Sequence, residues 1–207
     1  MKRNLIWLLL AVMMLALTGC GSSSDDRVIF TESIASDAAF DGDIFESLAG
    51  DRTVTLSGGG FDSSVLVGLD STGEYRAFLN FPLERIPANA VIRSATLSFN
   101  LIPPIDDIPI EMDLVSFPPS GLSSLYYDDT SLPPLATARY SLPVSSFNTE
   151  QRVSFDVTTL MVAAQAQIPA LDYFQLRIME DLDFSIPGLI EIDEWDGNPP
   201  RLTVVYF

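Results

Sequence analysis

Between Ser94 and Leu101 the chain alternates without a break. Ala95, Leu97, Phe99 and Leu101 point one way, and Ser94, Thr96, Ser98 and Asn100 point the other. A period of two marks a strand that buries one face and wets the other, and no helix can use it. The stripe returns at Ala77, Leu79, Phe81 and Leu83, then at Val153, Phe155 and Val157. It appears again at Phe174, Leu176 and Ile178, and at Leu202, Val204 and Tyr206. Shorter strand-like runs lie at Val28–Ile34, Thr53–Ser57, Ser64–Leu69, Ile110–Phe117 and Ala138–Val144. Turn formers separate them, among them Gly58-Gly59-Gly60, Ser71-Thr72-Gly73, Pro103-Pro104, Pro133-Pro134 and Gly197-Asn198-Pro199-Pro200. One segment departs from this pattern. Asp156 is placed to cap a short helix over Val157–Gln167, with Leu160, Met161 and Ala164 turned inward. Residues 118–136 show weak periodicity and read as a long loop. These signals predict an all-β domain over 28–207, an antiparallel β-sandwich of jelly-roll type with one short helix. The terminal Phe207 raises a membrane barrel as a competitor, but most of these runs fall short of the roughly 9–11 residues a barrel strand needs.

The first residues form an export signal. Lys2 and Arg3 precede an apolar run from Leu5 to Leu17, and Leu17-Thr18-Gly19-Cys20 has the form of a lipobox. The run is shorter than the about 20 residues a membrane-spanning helix requires. The expectation is a signal peptide over 1–19, lipid on Cys20, and a flexible tether over 20–27. Gly21 rather than aspartate follows the cysteine, which favours the outer membrane. Cys20 is the only cysteine, so lipidation leaves a fold without disulfides.

Composition narrows the chemistry. The chain carries 28 Asp and Glu against 11 Lys and Arg, a formal net charge of −17, and the leader holds the only lysine. Such acidity excludes nucleic acid as a partner and disfavours anionic headgroups, while it suits cation binding. Histidine is absent. That removes Ser-His-Asp and Cys-His catalysis and histidine zinc sites. No nucleophile elbow, phosphate loop or zinc motif occurs, so a noncatalytic protein is expected.

Three blocks occur in order: Y-R-A-F-L-N-F-P-L-E-R-I-P-A-N-A-V-I-R-S-A-T-L-S-F-N-L at Tyr75–Leu101, F-D-V-T-T-L at Phe155–Leu160, and the ending P-P-R-L-T-V-V-Y-F. Together they resemble DNRLRE-type domains, related to carbohydrate-binding module family 96. The resemblance covers roughly 64–207. It implies a jelly-roll-like sandwich and carbohydrate binding, with many members standing alone as surface proteins. The blocks have structural uses: Ile86-Pro87 turns between core strands, and Pro199-Pro200 stops pairing before the last one. Before that final strand the family's usual S-x-E stretch is replaced here by Glu191-Ile192-Asp193-Glu194-Trp195-Asp196.

Two loops are candidates for glycan binding. Sugars stack their C–H faces on exposed rings while carboxylates accept from their hydroxyls. Trp195 with Asp193, Glu194 and Asp196 has this composition, and so do Tyr126 and Tyr127 with Asp128 and Asp129. A competing reading folds Trp195 back over the core. Calcium is the expected cation, since it takes carboxylate and carbonyl oxygens near glycine turns. Its candidate ligands are Asp193, Asp196 and Asn198 in one segment and Asp37, Asp41 and Asp43 in another. The alternative to a polysaccharide-binding module is a structural or protein-interaction lipoprotein of the outer membrane.

Overall fold

A computed structural model describes residues 28–60, 63–118, 121–181 and 187–207. The leader, Cys20 and the tether lie outside the described residues. The strands are β1 (Phe30–Ala35), β2 (Gly42–Ser47), β3 (Arg52–Leu56), β4 (Ser64–Leu69), β5 (Gly73–Pro82) and β6 (Ile92–Ile102). They continue as β7 (Pro109–Val115), β8 (Ala136–Ser141), β9 (Gln151–Asp156), β10 (Tyr173–Glu180), β11 (Leu189–Asp193) and β12 (Arg201–Tyr206). A single α-helix among the described residues, α1 (Thr158–Gln165), follows β9. The chain is all-β with one short helix, and every strand pair is antiparallel.

The strands form one continuous sheet that curls over itself. One layer runs β1-β12-β6-β9 and the other β3-β2-β5-β10-β7-β8. β11 and β4 join them, because β11 pairs with both β6 and β4, and β4 pairs with β5. The alternating stripes explain the closure. Leu97, Phe99 and Leu101 of β6 are fully buried against Leu79 and Phe81 of β5 and Phe174 and Leu176 of β10 in one apolar core. Each such side chain contributes about 1.5–3 kcal/mol by leaving water. α1 closes one side of this core with Leu160, Met161 and Ala164, and Asp156 accepts from the Thr158 N–H at its first turn (2.9 Å).

Three features depart from the sequence expectation. β2 sits where a calcium loop was expected, because Gly42 and Asp43 tolerate burial between β3 and β5. β11 is a strand inside an acidic block, with Ile190 and Ile192 buried between charged neighbours. The loop after β7 contains a 3-10 turn at Ser124–Tyr127 and lies on the outer face of the second layer. There Tyr127 and Leu132 join Ile44, Phe78, Val115 and Phe117 in a second, smaller core.

Candidate functional site

Three segments meet at one end of the sandwich: 36–41 after β1, 57–60 and Ser63 after β3, and 194–200 after β11. Main-chain hydrogen bonds stitch them together. Ser36 N–H donates to Pro200 O (3.0 Å), Gly58 N–H to Ala38 O (3.1 Å) and Ser57 N–H to Asp41 O (3.0 Å). Glu194 N–H donates to Ser63 O (2.9 Å) and Asp196 N–H to Gly59 O (3.3 Å). Gly59 makes the close approach possible. Its φ is +68°, and a β-carbon there would lie 2.4 Å from Asp196 Oδ1 and 2.9 Å from Ala38 Cβ.

Beneath this junction Asp41 and Glu194 face one another, both wholly buried. Asp41 Oδ1 accepts from Asn80 N–H (2.6 Å) and from the Asn80 amide (3.2 Å). Ser36 Oγ–H donates to Glu194 Oε2 (3.4 Å). One oxygen on each side, Asp41 Oδ2 and Glu194 Oε1, has no donor among the described residues. The two carboxyls lie within hydrogen-bond reach of each other, so a bond there requires a proton. Burial pushes Asp41 up to about 7, against hydrogen bonds that pull it down. Burial and the neighbouring Asp41 charge push Glu194 up to about 10. Two adjacent carboxylates cannot both ionise in a dry site without a counter-charge. Behind them a relay fixes the geometry: Gln175 Nε2–H donates to Asn80 Oδ1 (2.8 Å), and Phe117 N–H donates to Gln175 Oε1 (2.9 Å).

Trp195 follows Glu194 with its ring laid against Gly197 and 42% of its surface exposed. The loop around it is braced. Trp195 N–H donates to Asp193 Oδ1 (3.0 Å), and Asn198 N–H donates to Trp195 O (2.8 Å). Arg152 Nη1 donates to Asn198 Oδ1 (3.0 Å). The indole therefore shares the surface with Asp196 and with half-buried Asp193. Glu194 does not: as a hydroxyl acceptor for a glycan it is corrected, because alternation along β11 and beyond turns it into the protein.

Neither expected calcium segment closes on itself. Asp37 Oδ1 accepts from Ala39 N–H in its own turn (3.2 Å), and Asp43 Oδ2 accepts from Leu66 N–H (3.2 Å). Burial raises the pKa of Asp43. Asp193 and Asn198 serve the Trp195 loop as described. Among the described residues no group of three or more acidic side chains stands at metal-binding spacing. What the fold does bring together is Asp41 from one segment and Glu194 from the other.

The Tyr126–Asp129 loop is a correction of another kind. Tyr127 is 2% exposed, so it cannot stack on a sugar. Its hydroxyl donates to Glu74 Oε2 (2.6 Å), and its ring lies under the guanidinium groups of Arg76 (4.0 Å) and Arg52 (4.6 Å). Burial, seconded by the Glu74 carboxylate, raises the pKa of its phenol. Tyr126 packs half-buried on Phe117, ring centroids 5.0 Å apart. Arg52 grips Asp128 with two bonds of 2.7 and 2.8 Å. Fully buried Arg177 bonds Asp113 (2.5 Å), Asp129 and the Tyr127 carbonyl (3.2 Å).

Two adjoining grooves, of about 470 and 380 Å³, run along Ala170–Tyr173. Glu84, Gln165 and Asp172 line the first; Phe117, Leu135, Ile168 and Gln175 line the second. Trp195 lines neither. No sequence signal singled out Tyr173, Glu84 or Asp172, which come together only through the pairing of β5 with β10. No protein-family model matches the chain, and no curated protein matches it.

Proposed function

We propose that this chain is a noncatalytic lipoprotein of the bacterial envelope, anchored through Cys20, whose domain binds polysaccharide at the Trp195 loop. The observation that carries the reading is the exposed indole of Trp195 on a braced loop, beside the carboxylates of Asp193 and Asp196. A ring fixed against Gly197 with part of its surface open to solvent loses little entropy on stacking, which is how protein sites gain affinity for weakly binding sugars. Tyr126 and Tyr127 have no part in it. The acidic surface favours neutral glycans over uronate chains. The resemblance to carbohydrate-binding module family 96 supports the same ligand class, and the lipobox supports the location.

A glycan array with the soluble domain from Ser22 onward tests the reading. Binding to neutral polysaccharide is expected, and Trp195→Ala should weaken it at least about tenfold. Binding that survives this substitution removes the site assignment. Fractionation tests the anchor: Cys20→Ala should move the protein from membranes to the soluble fraction.

A second reading, a protein-interaction lipoprotein, rests on the groove beside Ile168. That side chain is 98% exposed and adjoins Leu135, itself 40% exposed, and Phe117. An array that shows no glycan binding would favour it.

A further inference from the structure

We propose that Asp41 and Glu194 form the acidic half of a buried calcium site that ties the 36–41 loop to the Trp195 loop. Asp41 and Glu194 are 0% exposed and lie in contact, and each keeps one oxygen with no donor among the described residues. Their remaining oxygens already accept protein donors that favour the charged form: the Asn80 N–H and amide on Asp41 Oδ1, and the Ser36 hydroxyl on Glu194 Oε2. Neighbouring groups worsen the charge balance, since Asp193 adds a further negative field at Glu194. Among the described residues no arginine pairs with either carboxylate. A cation between the two free oxygens satisfies both and restores neutrality.

The donors select the ion. All are oxygens, so a soft metal is disfavoured, and the chain has no histidine or free thiol in this domain. Magnesium prefers to keep several waters in a strict octahedron, whereas a dehydrated, irregular oxygen cage suits calcium. The two carboxylates supply part of the six to eight oxygens that calcium takes; the Ser36 hydroxyl and the carbonyls of the converging loops are the other donors at hand. Asn80 is the positioning residue: its two bonds hold Asp41 Oδ1 and so fix the carboxyl, and Gln175 fixes Asn80 in turn. The ion would couple the first and last thirds of the domain, and Glu194 adjoins the exposed indole. This inference stands without the glycan reading, because its readout is the metal.

The test uses the domain from Ser22, freed of metal, with calcium, magnesium or chelator at pH 8 and pH 5. Calcium at 1 mM should raise the melting temperature by about 5 °C or more at pH 8. The rise should shrink at pH 5, where protons compete for the pair, and magnesium should do less. Glu194→Gln and Asp41→Asn should remove the calcium response, while Asp196→Asn should keep it. Terbium provides a second measurement that needs no variant. Trp195 is the only tryptophan after the leader, so terbium bound at Glu194 should luminesce on indole excitation and be displaced by calcium. A melting temperature indifferent to calcium at pH 8, without terbium luminescence, overturns the proposal and leaves the pair sharing a proton. A calcium response retained in both Glu194→Gln and Asp41→Asn also overturns it.

Discussion

The loops at Tyr126–Asp129 and Asp193–Asp196 have almost the same composition, aromatic rings among acids. In the first, arginines from the sheet beneath receive the acids. Arg52, Arg76 and Arg177 come from β3, β5 and β10 and meet Asp128, Glu74, Asp113 and Asp129 around the buried Tyr127 ring. In the second, no arginine among the described residues pairs with Asp193, Glu194 or Asp196, and Arg152 reaches only Asn198. Glu194 turns inward onto another acid, and the ring turns outward. The difference lies in what the facing strands present. A loop that finds cations becomes part of the wall, while one that finds a carboxylate becomes a site that requires a proton or a metal. The acids of the first loop are taken up by arginines of its own protein; Asp196 of the second stays at the surface beside the partly exposed ring.

Removing a cation from the first loop is the strongest way to break this contrast. Arg177→Met leaves Asp113, itself 1% exposed, buried without its cation and with only the Thr137 hydroxyl as donor, and frees Asp129, while Arg76 keeps its bond to the Tyr127 carbonyl (2.7 Å). Breaking a buried pair from one side costs about 3–5 kcal/mol. Urea unfolding should show that loss at unchanged slope, and the Tyr126–Asp129 loop should become sensitive to protease. A loss under about 1 kcal/mol would mean that the arginine clamp is ornamental and that the two loops differ less than their contacts imply.

The second loop should respond to pH in the opposite sense from an ordinary salt-bridged acid. Asp41 and Glu194 hold protons in the fold that the unfolded chain releases. The native state therefore binds more protons, and stability falls as pH rises. For Asp41 the fall begins in the normal carboxylate range and ends near pH 7; for Glu194 it continues to about pH 10. Each retained proton gives a slope of up to about 1.4 kcal/mol per pH unit. In chelator, Glu194→Gln should flatten the alkaline part and gain about 1–3 kcal/mol over the wild type at pH 9. Stability that rises between pH 5 and 9 would contradict the buried pair.

Much of this architecture was legible in the strand stripes. β6, β10 and β12 carry alternation strong enough to place both the strands and their buried faces, and β4 ran from Ser64 to Leu69 as expected. β2 was not legible, because Gly42, Asp43 and Glu46 look like a loop until the sheet on both sides satisfies their backbone. The site was half legible. Trp195 announced itself as a ring among acids, and it is exposed. The Asp41–Glu194 pair could not be foreseen, since it depends on the 36–41 and 194–200 loops being brought together by β1 pairing with β12. Tyr127 misled for the same reason: its burial depends on arginines distant in sequence, which no local pattern reports.

Within the clamp, the Tyr127 hydroxyl tests a finer point. Tyr127→Phe keeps the ring under Arg76 and Arg52 and removes only the 2.6 Å bond to Glu74. Glu74 keeps its ion pair with Arg76 (2.8 Å), so the carboxylate is not orphaned. A loss of about 1.5 kcal/mol by thermal unfolding is expected, the size of one hydrogen bond to a charged acceptor.

Trp195→Ala should have the smallest effect on stability and a large one on binding. A partly exposed side chain on a loop held by its own backbone bonds, Trp195 N–H to Asp193 and Asn198 N–H to Trp195 O, leaves that scaffold standing when the ring is removed. The expected change in unfolding free energy is about 1 kcal/mol or less. If glycan affinity falls at least about tenfold while the fold barely shifts, the ring is a binding surface. If stability instead falls by about 3 kcal/mol, as for a core aromatic, the indole is a lid on the Asp41–Glu194 junction, and the two loops are walls of the same kind.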